Sequence, residues 1–197
     1  MTRETSTSLL ARIRVQPDPR DWRYFAELYD PLIRGWLRRQ QVSPQDADDI
    51  TQEVMAVVIR RVSDFEHNGR TGAFRTWLRT ITVNCIRDFW RAQRNKPAGL
   101  GGSDMVEFLA QLEDPQSEAS RIWDQEHDRQ VMKALLERLR HEFEAKTWQA
   151  FEMFALQGIP AATVAQQLGL TSNAVFIAKS RIMAKLRQES AGILDEI

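Results

Sequence analysis

The sequence predicts an all-α protein in which two small helical domains are joined by an acidic linker. Glycine and proline are sparse, at nine and seven of 197 residues, and long stretches contain neither. Apolar residues recur at helical spacing through most of the chain. Residues 96–103 (KPAGLGGS) interrupt this pattern with one proline and three glycines. We therefore predict an N-terminal domain over residues 1–96, a linker over 97–128 and a C-terminal domain over 129–190.

Three helices are predicted in the N-terminal domain. The first covers about 22–41, and Pro31 is expected to kink or divide it. The second begins after Ser43, which reads as an N-cap, with Pro44 in the first turn. The third covers about 74–94. The predicted core positions of these helices are, in order, Phe25, Leu28, Leu32, Ile33, Trp36 and Leu37; Ala47, Ile50, Val54, Val57, Val58 and Val62; and Phe74, Leu78, Ile81, Cys85 and Phe89.

The C-terminal domain is predicted to begin with a helix near Arg129 and to end in a helix-turn-helix. A short helix over about 161–167 is followed by Gly169, which permits the turn, and then by Thr171 or Ser172 as the cap of the next helix. That helix is basic, as expected for insertion into a major groove. A helical hairpin that serves packing alone is the other interpretation.

Charge is strongly segregated although acids and bases balance at 27 each. Residues 70–96 contain seven bases and one acid, and residues 104–128 contain eight acids and one base. Residues 171–187 contain four bases and no acid. Patches of opposite sign indicate more than one kind of partner.

The remaining composition favours a cytoplasmic protein without catalytic chemistry. A single cysteine excludes an intrachain disulfide, and the N-terminus lacks the apolar core of a signal peptide. His67, His127 and His141 are scattered, without partners at metal-ligand spacing. We expect no metal, no cofactor and no enzymatic activity.

Two pairs of motifs carry a family resemblance. The stretches DADDITQEVMAVVIRRVSDF and GAFRTWLRTITVNCIRDFWRAQRNKP resemble region 2 of the sigma-70 family. ALLERLR and LGLTSNAV…AKSRIMAKLR resemble region 4, especially that of the small extracytoplasmic-function group. The resemblance implies a factor that binds bacterial core RNA polymerase and directs it to promoter DNA. An anti-sigma factor is a further candidate partner.

In region 2, the resemblance implies two surfaces. An acidic helix face would bind the polymerase; without the resemblance, a solvated helix face is the commoner meaning of such a run. The following loop and helix would bind the −10 promoter element, with Trp77 and Trp90 as either core or stacking residues. The implied polymerase-binding residues are Asp48, Asp49, Gln52 and Glu53, and the implied −10 residues are Phe65, Asn68, Arg75, Arg79, Thr80, Asn84, Arg87 and Arg91.

In region 4, the second helix of the motif would read the −35 element. Phe176, Ile177 and Lys179 depart from the usual pattern of the family, and Phe176 would either contact thymine methyl groups or belong to the core. The implied −35 residues are Ser172, Asn173, Phe176, Ile177, Lys179, Ser180, Arg181 and Lys185.

Two further questions stay open at this point. The acidic linker would either occupy basic polymerase channels by mimicking RNA or act as a solvated, disordered spacer. A stand-alone helix-turn-helix regulator with an N-terminal sensing or dimerisation bundle is the alternative function.

Overall fold

The computed structural model describes residues 8–15, 18–39, 42–66, 72–93, 103–191 and 193–194. Their secondary structure is helical apart from an isolated bridge between Ala191 and Leu194, which confirms the all-α class. No helix within these ranges is both long and apolar enough to cross a membrane. The chain divides into two compact units, and the division falls between Val131 and Met132.

The first unit is a helical bundle. Its helices are α1 (Leu9–Val15), α2 (Pro19–Arg39), α3 (Pro44–Arg61) with a 3-10 turn at Val62–Asp64, α4 (Ala73–Gln93), α5 (Ser103–Glu113) and the N-terminal part of α6 (Glu118–Arg140). The predicted loop residues 67–71, and with them Asn68 and His67, lie outside the described residues.

Helix α2 supplies much of the core of this unit. All six predicted core residues are buried, and Tyr24 and Tyr29 are buried as well. Pro31 does not divide the helix, which is continuous through it. Its ring lies on the exposed side, and the buried stripe continues on both sides of it. Packing of that stripe offsets the lost backbone hydrogen bond.

Helix α3 begins as the sequence predicts. The Ser43 hydroxyl accepts a hydrogen bond from the Asp46 backbone N–H at 3.1 Å, and Pro44 occupies the first turn. Ala47, Ile50 and Val54 are buried. Val58 and Val62 are also buried and Val57 is half-buried, so the predicted stripe faces the core.

Helix α4 is buried on two sides. Four of its five predicted core residues are buried, and Phe89 is half-buried. Arg79, Val83 and Ile86 are buried too, although they lie away from the predicted face. The reason is that α4 packs against α5 as well as α3, and that Arg79 lies against α6, where it pairs with Asp124.

The segment between the predicted domains is folded rather than a spacer as far as it is described. Leu109 and Leu112 of α5 and Trp123 and His127 of α6 are buried. The Trp123 ring meets the Trp36 ring edge-on, with centroids 5.0 Å apart. No helix begins at Arg129, because α6 runs unbroken from Glu118 to Arg140. Its buried residues recur every fourth position, at Trp123, His127, Val131, Leu135 and Leu139, and this continuous stripe explains the single helix.

The second unit contains the helices on either side of the predicted turn at Gly169. After the end of α6 come α7 (Ala145–Phe151), a π-helical segment (Glu152–Leu156), α8 (Ala161–Leu168) and α9 (Ser172–Ser190). Its core includes Ala150, Val164, Ala165, Val175 and Ala178.

The turn between α8 and α9 follows the prediction. Gly169 has a left-handed backbone with φ of 60°, which glycine adopts without the steric cost of a Cβ atom. Thr171, and not Ser172, caps α9: its hydroxyl accepts the Ala174 N–H at 3.1 Å. Helix α9 has 19 residues.

Candidate protein and nucleic-acid interfaces

The acidic face of α3 is mostly open to solvent. Asp49, Gln52 and Glu53 are exposed. Asp48 is only partly exposed, and its carboxylate pairs with Arg34 of α2 at 2.7 Å. Glu53 pairs with Arg60 at 3.2 Å, but both side chains are about 60% exposed (60% and 61%), so this pair contributes little to stability. The face therefore offers a partner two exposed carboxylates and an amide, whereas the Asp48 carboxylate is already paired with Arg34 of the same domain.

A groove of about 460 Å³ separates this face from α4. Asp49 and Glu53 line it from α3, and Asn84, Cys85 and Asp88 line it from α4. Burial, with the nearby Glu53 and Asp88 charges, raises the pKa of the Cys85 thiol to about 11. The thiol is therefore neutral at pH 7, and we assign it to packing rather than to chemistry.

The predicted −10 residues on α4 lie on two different sides of the helix. Thr80, Asn84 and Arg91 are exposed. Arg87 is partly exposed and donates a hydrogen bond to Glu113 of α5. Thr80, Asn84, Arg87 and Arg91 therefore form one accessible row, as their spacing predicts.

Arg75 and Arg79 face α6 instead. Arg79 is 4% exposed, and its Nη1 lies 3.0 Å from the Asp124 carboxylate. Arg75 pairs with Asp124 at 3.4 Å and with Asp128 at 3.0 Å. In this conformation Arg79 has no surface to offer DNA, and both guanidinium groups connect α4 to α6.

Asp128 extends this network to a buried histidine. His127 Nδ1 lies 2.9 Å from the Asp128 carboxylate, so this nitrogen carries the proton and donates. His127 Nε2 lies 3.4 Å from the Tyr29 hydroxyl. Burial acts to raise the pKa of Asp128, but the hydrogen bond from His127 and the charge of Arg75 outweigh it and lower the pKa below its usual value.

Phe65 is a core residue. It is 5% exposed, and its ring meets those of Phe74 and Trp77 at centroid distances of 5.4 and 5.3 Å. Its side chain therefore has no surface for a base in this conformation. Trp77 and Trp90 are both half-buried. Asn68 lies outside the described residues.

On α9, the candidate DNA-contacting residues point outward with one exception. The exposed members are Ser172, Asn173, Phe176, Ile177, Lys179, Ser180 and Arg181. Lys185 is the exception: its side chain is 28% exposed and pairs with Glu142 at 3.6 Å and Glu189 at 3.2 Å. Val175, Ala178 and Ile182 are buried on the opposite side, so packing fixes which side of α9 faces outward.

Sequence reasoning missed the acidic partners of the α4 arginines. Glu113, Asp124 and Asp128 were assigned to a linker, although they neutralise α4 side chains within the same unit. The signal was present in the sequence, because a basic block is followed directly by an acidic block. Opposite blocks in one chain can pair with each other as well as with outside partners.

A comparison with protein families finds a match within the first unit. Residues 25–96 match the family model for sigma-70 region 2. This range begins inside α2 and includes α3 and α4, and thus both the acidic face and the accessible row on α4. No curated protein and no solved structure shows a significant match to the chain. The first unit therefore contains a domain that matches sigma-70 region 2.

Proposed function

We propose that the chain is a sigma factor of the extracytoplasmic-function type, which binds core RNA polymerase and directs it to promoters with −10 and −35 elements. The region 2 match over residues 25–96 carries the proposal, because it falls on a domain with the two surfaces that such a factor needs.

The acidic face of α3 is the proposed polymerase-docking surface. Asp49 and Glu53 are exposed carboxylates, and Gln52 between them can donate and accept hydrogen bonds. Such a face suits arginine-rich helices of a protein partner, because guanidinium and carboxylate groups form strong charge-assisted hydrogen bonds. Complementary charge also speeds association and fixes the register of docking.

The accessible row on α4 is the proposed −10 surface. Arg87 and Arg91 would contact backbone phosphates, and Thr80 and Asn84 would make polar contacts to bases or sugars. Arg75 and Arg79 have a positioning role in this proposal. They keep α6 against α4 and so support the shape of the domain that presents the row.

The second unit is the proposed −35 reader, equivalent to region 4. Its α8–turn–α9 segment would act as the helix-turn-helix, and α9 presents Asn173, Ser180 and Arg181 on the side away from the core. The first turns of the second helix of such a motif are the part that reaches base edges.

The proposal assigns no chemical step, metal or cofactor to this chain, because the polymerase makes the RNA. A cytoplasmic location follows from that role. An anti-sigma factor would control the protein by covering either surface, and the exposed α3 face is the one that a basic partner would select.

Reconstitution with purified bacterial core polymerase tests the proposal. We expect a stoichiometric complex and, on fragmented genomic DNA, transcripts whose upstream regions share two motifs at fixed spacing. Core polymerase alone supplies the baseline. A stand-alone regulator would need no such complex, so the absence of both the complex and new start sites would overturn the proposal.

A further inference from the structure

The outward side of α9 carries an exposed apolar pair among polar neighbours. Phe176 is 51% exposed and Ile177 is 50% exposed. Both lie next to residues of the core, Val175 and Ala178, yet neither belongs to it. Half of each side chain is therefore available to a partner.

We infer that Phe176 and Ile177 form an apolar surface that reads the 5-methyl groups of thymines in the major groove of duplex DNA. This inference rests on the proposed function and adds a sequence preference to it. The thymine methyl is the apolar group that base edges present in the major groove, and apolar side chains recognise it by direct contact.

The charge around the pair favours DNA over a protein partner. Lys179 and Arg181 follow the pair on the same helix and are exposed, and α9 contains no acid before Glu189. Cations beside an apolar centre match a groove whose walls are phosphates and whose floor carries methyl groups.

The Phe176 ring is also oriented by a contact with a second aromatic ring. It meets the Phe154 ring edge-on, with centroids 5.3 Å apart and planes at 84°. Lys179 Nζ lies 5.3 Å from the centroid of the Phe154 ring. A ring that is already oriented loses little side-chain entropy on binding, so the contact retains more of its free energy.

The position of the pair on α9 sets the expected pattern. Both residues lie in the second turn of the helix, where the second helix of such a motif contacts bases. Adjacent residues on a helix point about 100° apart, so they reach neighbouring bases rather than one base. We therefore expect one or two thymines, at adjacent positions, within the preferred sequence.

The thymine-methyl contact is tested by selecting DNA duplexes that bind the protein and then removing single methyl groups from them. The full chain, alone and with bacterial core polymerase, selects duplexes from a randomised library. Each thymine of the enriched duplexes is then replaced by deoxyuridine, which lacks only the methyl. We expect affinity to fall about fourfold for each methyl that is read, which is the effect of losing one buried methyl-sized group.

The variants identify the residues responsible. Phe176→Ala and Ile177→Ala should each lose the dependence on a methyl, whereas Leu156→Ala should retain it. Leu156 is a matched control because it is 54% exposed and lies outside α9. Since all three side chains are exposed, none of the substitutions should prevent folding.

Three results would overturn the inference. The first is that the affinity of the enriched duplexes does not change when thymine is replaced by deoxyuridine. The second is that both α9 variants keep the full dependence on the methyl groups. The third is that no duplex is enriched. The first two leave promoter-directed transcription intact, so they separate this inference from the proposed function. Loss of polymerase binding by Phe176→Ala with normal DNA selection would identify a protein contact instead.

Discussion

Arg79 of α4 is buried, and its guanidinium lies 3.0 Å from the carboxylate of Asp124 on α6. The same carboxylate lies 3.4 Å from Arg75. Burial acts to lower the pKa of Arg79, and the charge of Asp124 opposes that effect. Two arginines thus share the Asp124 carboxylate; Arg75 has a second partner in Asp128, whereas Arg79 is almost completely buried.

We expect Asp124→Asn to destabilise the first unit by about 2 kcal/mol. Removing one partner of a buried pair leaves the other charge uncompensated, and the cost is reduced here because the Asp124 side chain is 29% exposed. Urea unfolding followed by tryptophan fluorescence measures the change, and Trp36 and Trp123 report on the packing of α6.

Asp88→Asn is the matched control. Asp88 pairs with Arg91 at 3.2 Å, but the side chains are 72% and 76% exposed, so its loss should cost less than about 0.5 kcal/mol. Equal urea midpoints for the two variants would mean that the Arg79–Asp124 pair contributes no more than a surface pair.

At acidic pH, the ionisation of Asp128 and that of Asp30 should change the free energy of unfolding in opposite directions. The pKa of Asp128 is lowered in the fold, so its ionisation stabilises the protein above the unfolded pKa of about 3.8, and this contribution is lost as pH falls through the folded pKa. Burial raises the pKa of Asp30, so its contribution is present below about pH 3.8 and is lost as pH rises through the folded pKa.

Unfolding free energies of Asp128→Asn and Asp30→Asn between pH 3 and pH 7 test these signs. Relative to the unmodified protein, Asp128→Asn should become less destabilising as pH falls below about 4. Asp30→Asn should become more favourable as pH rises, because the native carboxylate then carries its charge in a partly buried place. If the unfolding free energies of the two variants change with pH in the same direction relative to the unmodified protein, at least one of the two assignments is wrong.

The predictable part of the fold was the part with local signals. The Ser43 cap, the Gly169 turn and the apolar stripes of α2, α3 and α4 each depend on residues within a few positions of one another, and all are present as predicted. Pro31 was expected to disturb α2 because local sequence does not show how strongly the buried stripe holds the helix together. Thr171 and Ser172 were equally good caps from the sequence, and only geometry distinguishes them.

The unpredictable part depends on contacts between distant segments. Trp36 and Trp123 are almost ninety residues apart in the sequence, and no local pattern predicts their contact. The difference in burial among the α4 arginines has the same origin. Arg79 and Arg91 look alike in sequence, but α6 covers one and leaves the other in solvent. Phe65 was likewise predicted to lie in a loop beside DNA, because the sequence does not show that the rings of Phe74 and Trp77 pack against it. The −10, −35 and polymerase contacts themselves stay predictions.

Reversing the charge of the exposed acids of α3 should greatly weaken docking. We expect Asp49→Lys with Glu53→Lys to weaken binding to core polymerase at least about 100-fold, since each lost charge-assisted contact contributes about 1.5 kcal/mol or more. Both side chains are exposed, so the unfolding midpoint should change little. Fluorescence anisotropy of the labelled chain with purified core polymerase measures the affinity.

The control for this prediction carries the same change in net charge elsewhere. Glu27 of α2 and Glu137 of α6 are exposed, and Glu27→Lys with Glu137→Lys should bind the polymerase like the unmodified chain. If the control loses affinity equally, the effect is one of net charge, and the α3 face is not a specific docking surface.

Arg181 and Lys185 should differ in their effect on DNA binding although both are cations on α9. Arg181 is exposed, whereas Lys185 pairs with Glu142 and with the buried Glu189. We expect Arg181→Ala to reduce the slope of log affinity against log salt by about 0.9, the change for one phosphate contact. Lys185→Ala should change that slope less and should lower the unfolding midpoint, because it removes an ion pair from a buried carboxylate. Salt titrations of the full chain on a selected duplex, together with urea unfolding, separate the two effects. An unaltered slope in Arg181→Ala would show that this side of α9 does not lie on phosphates.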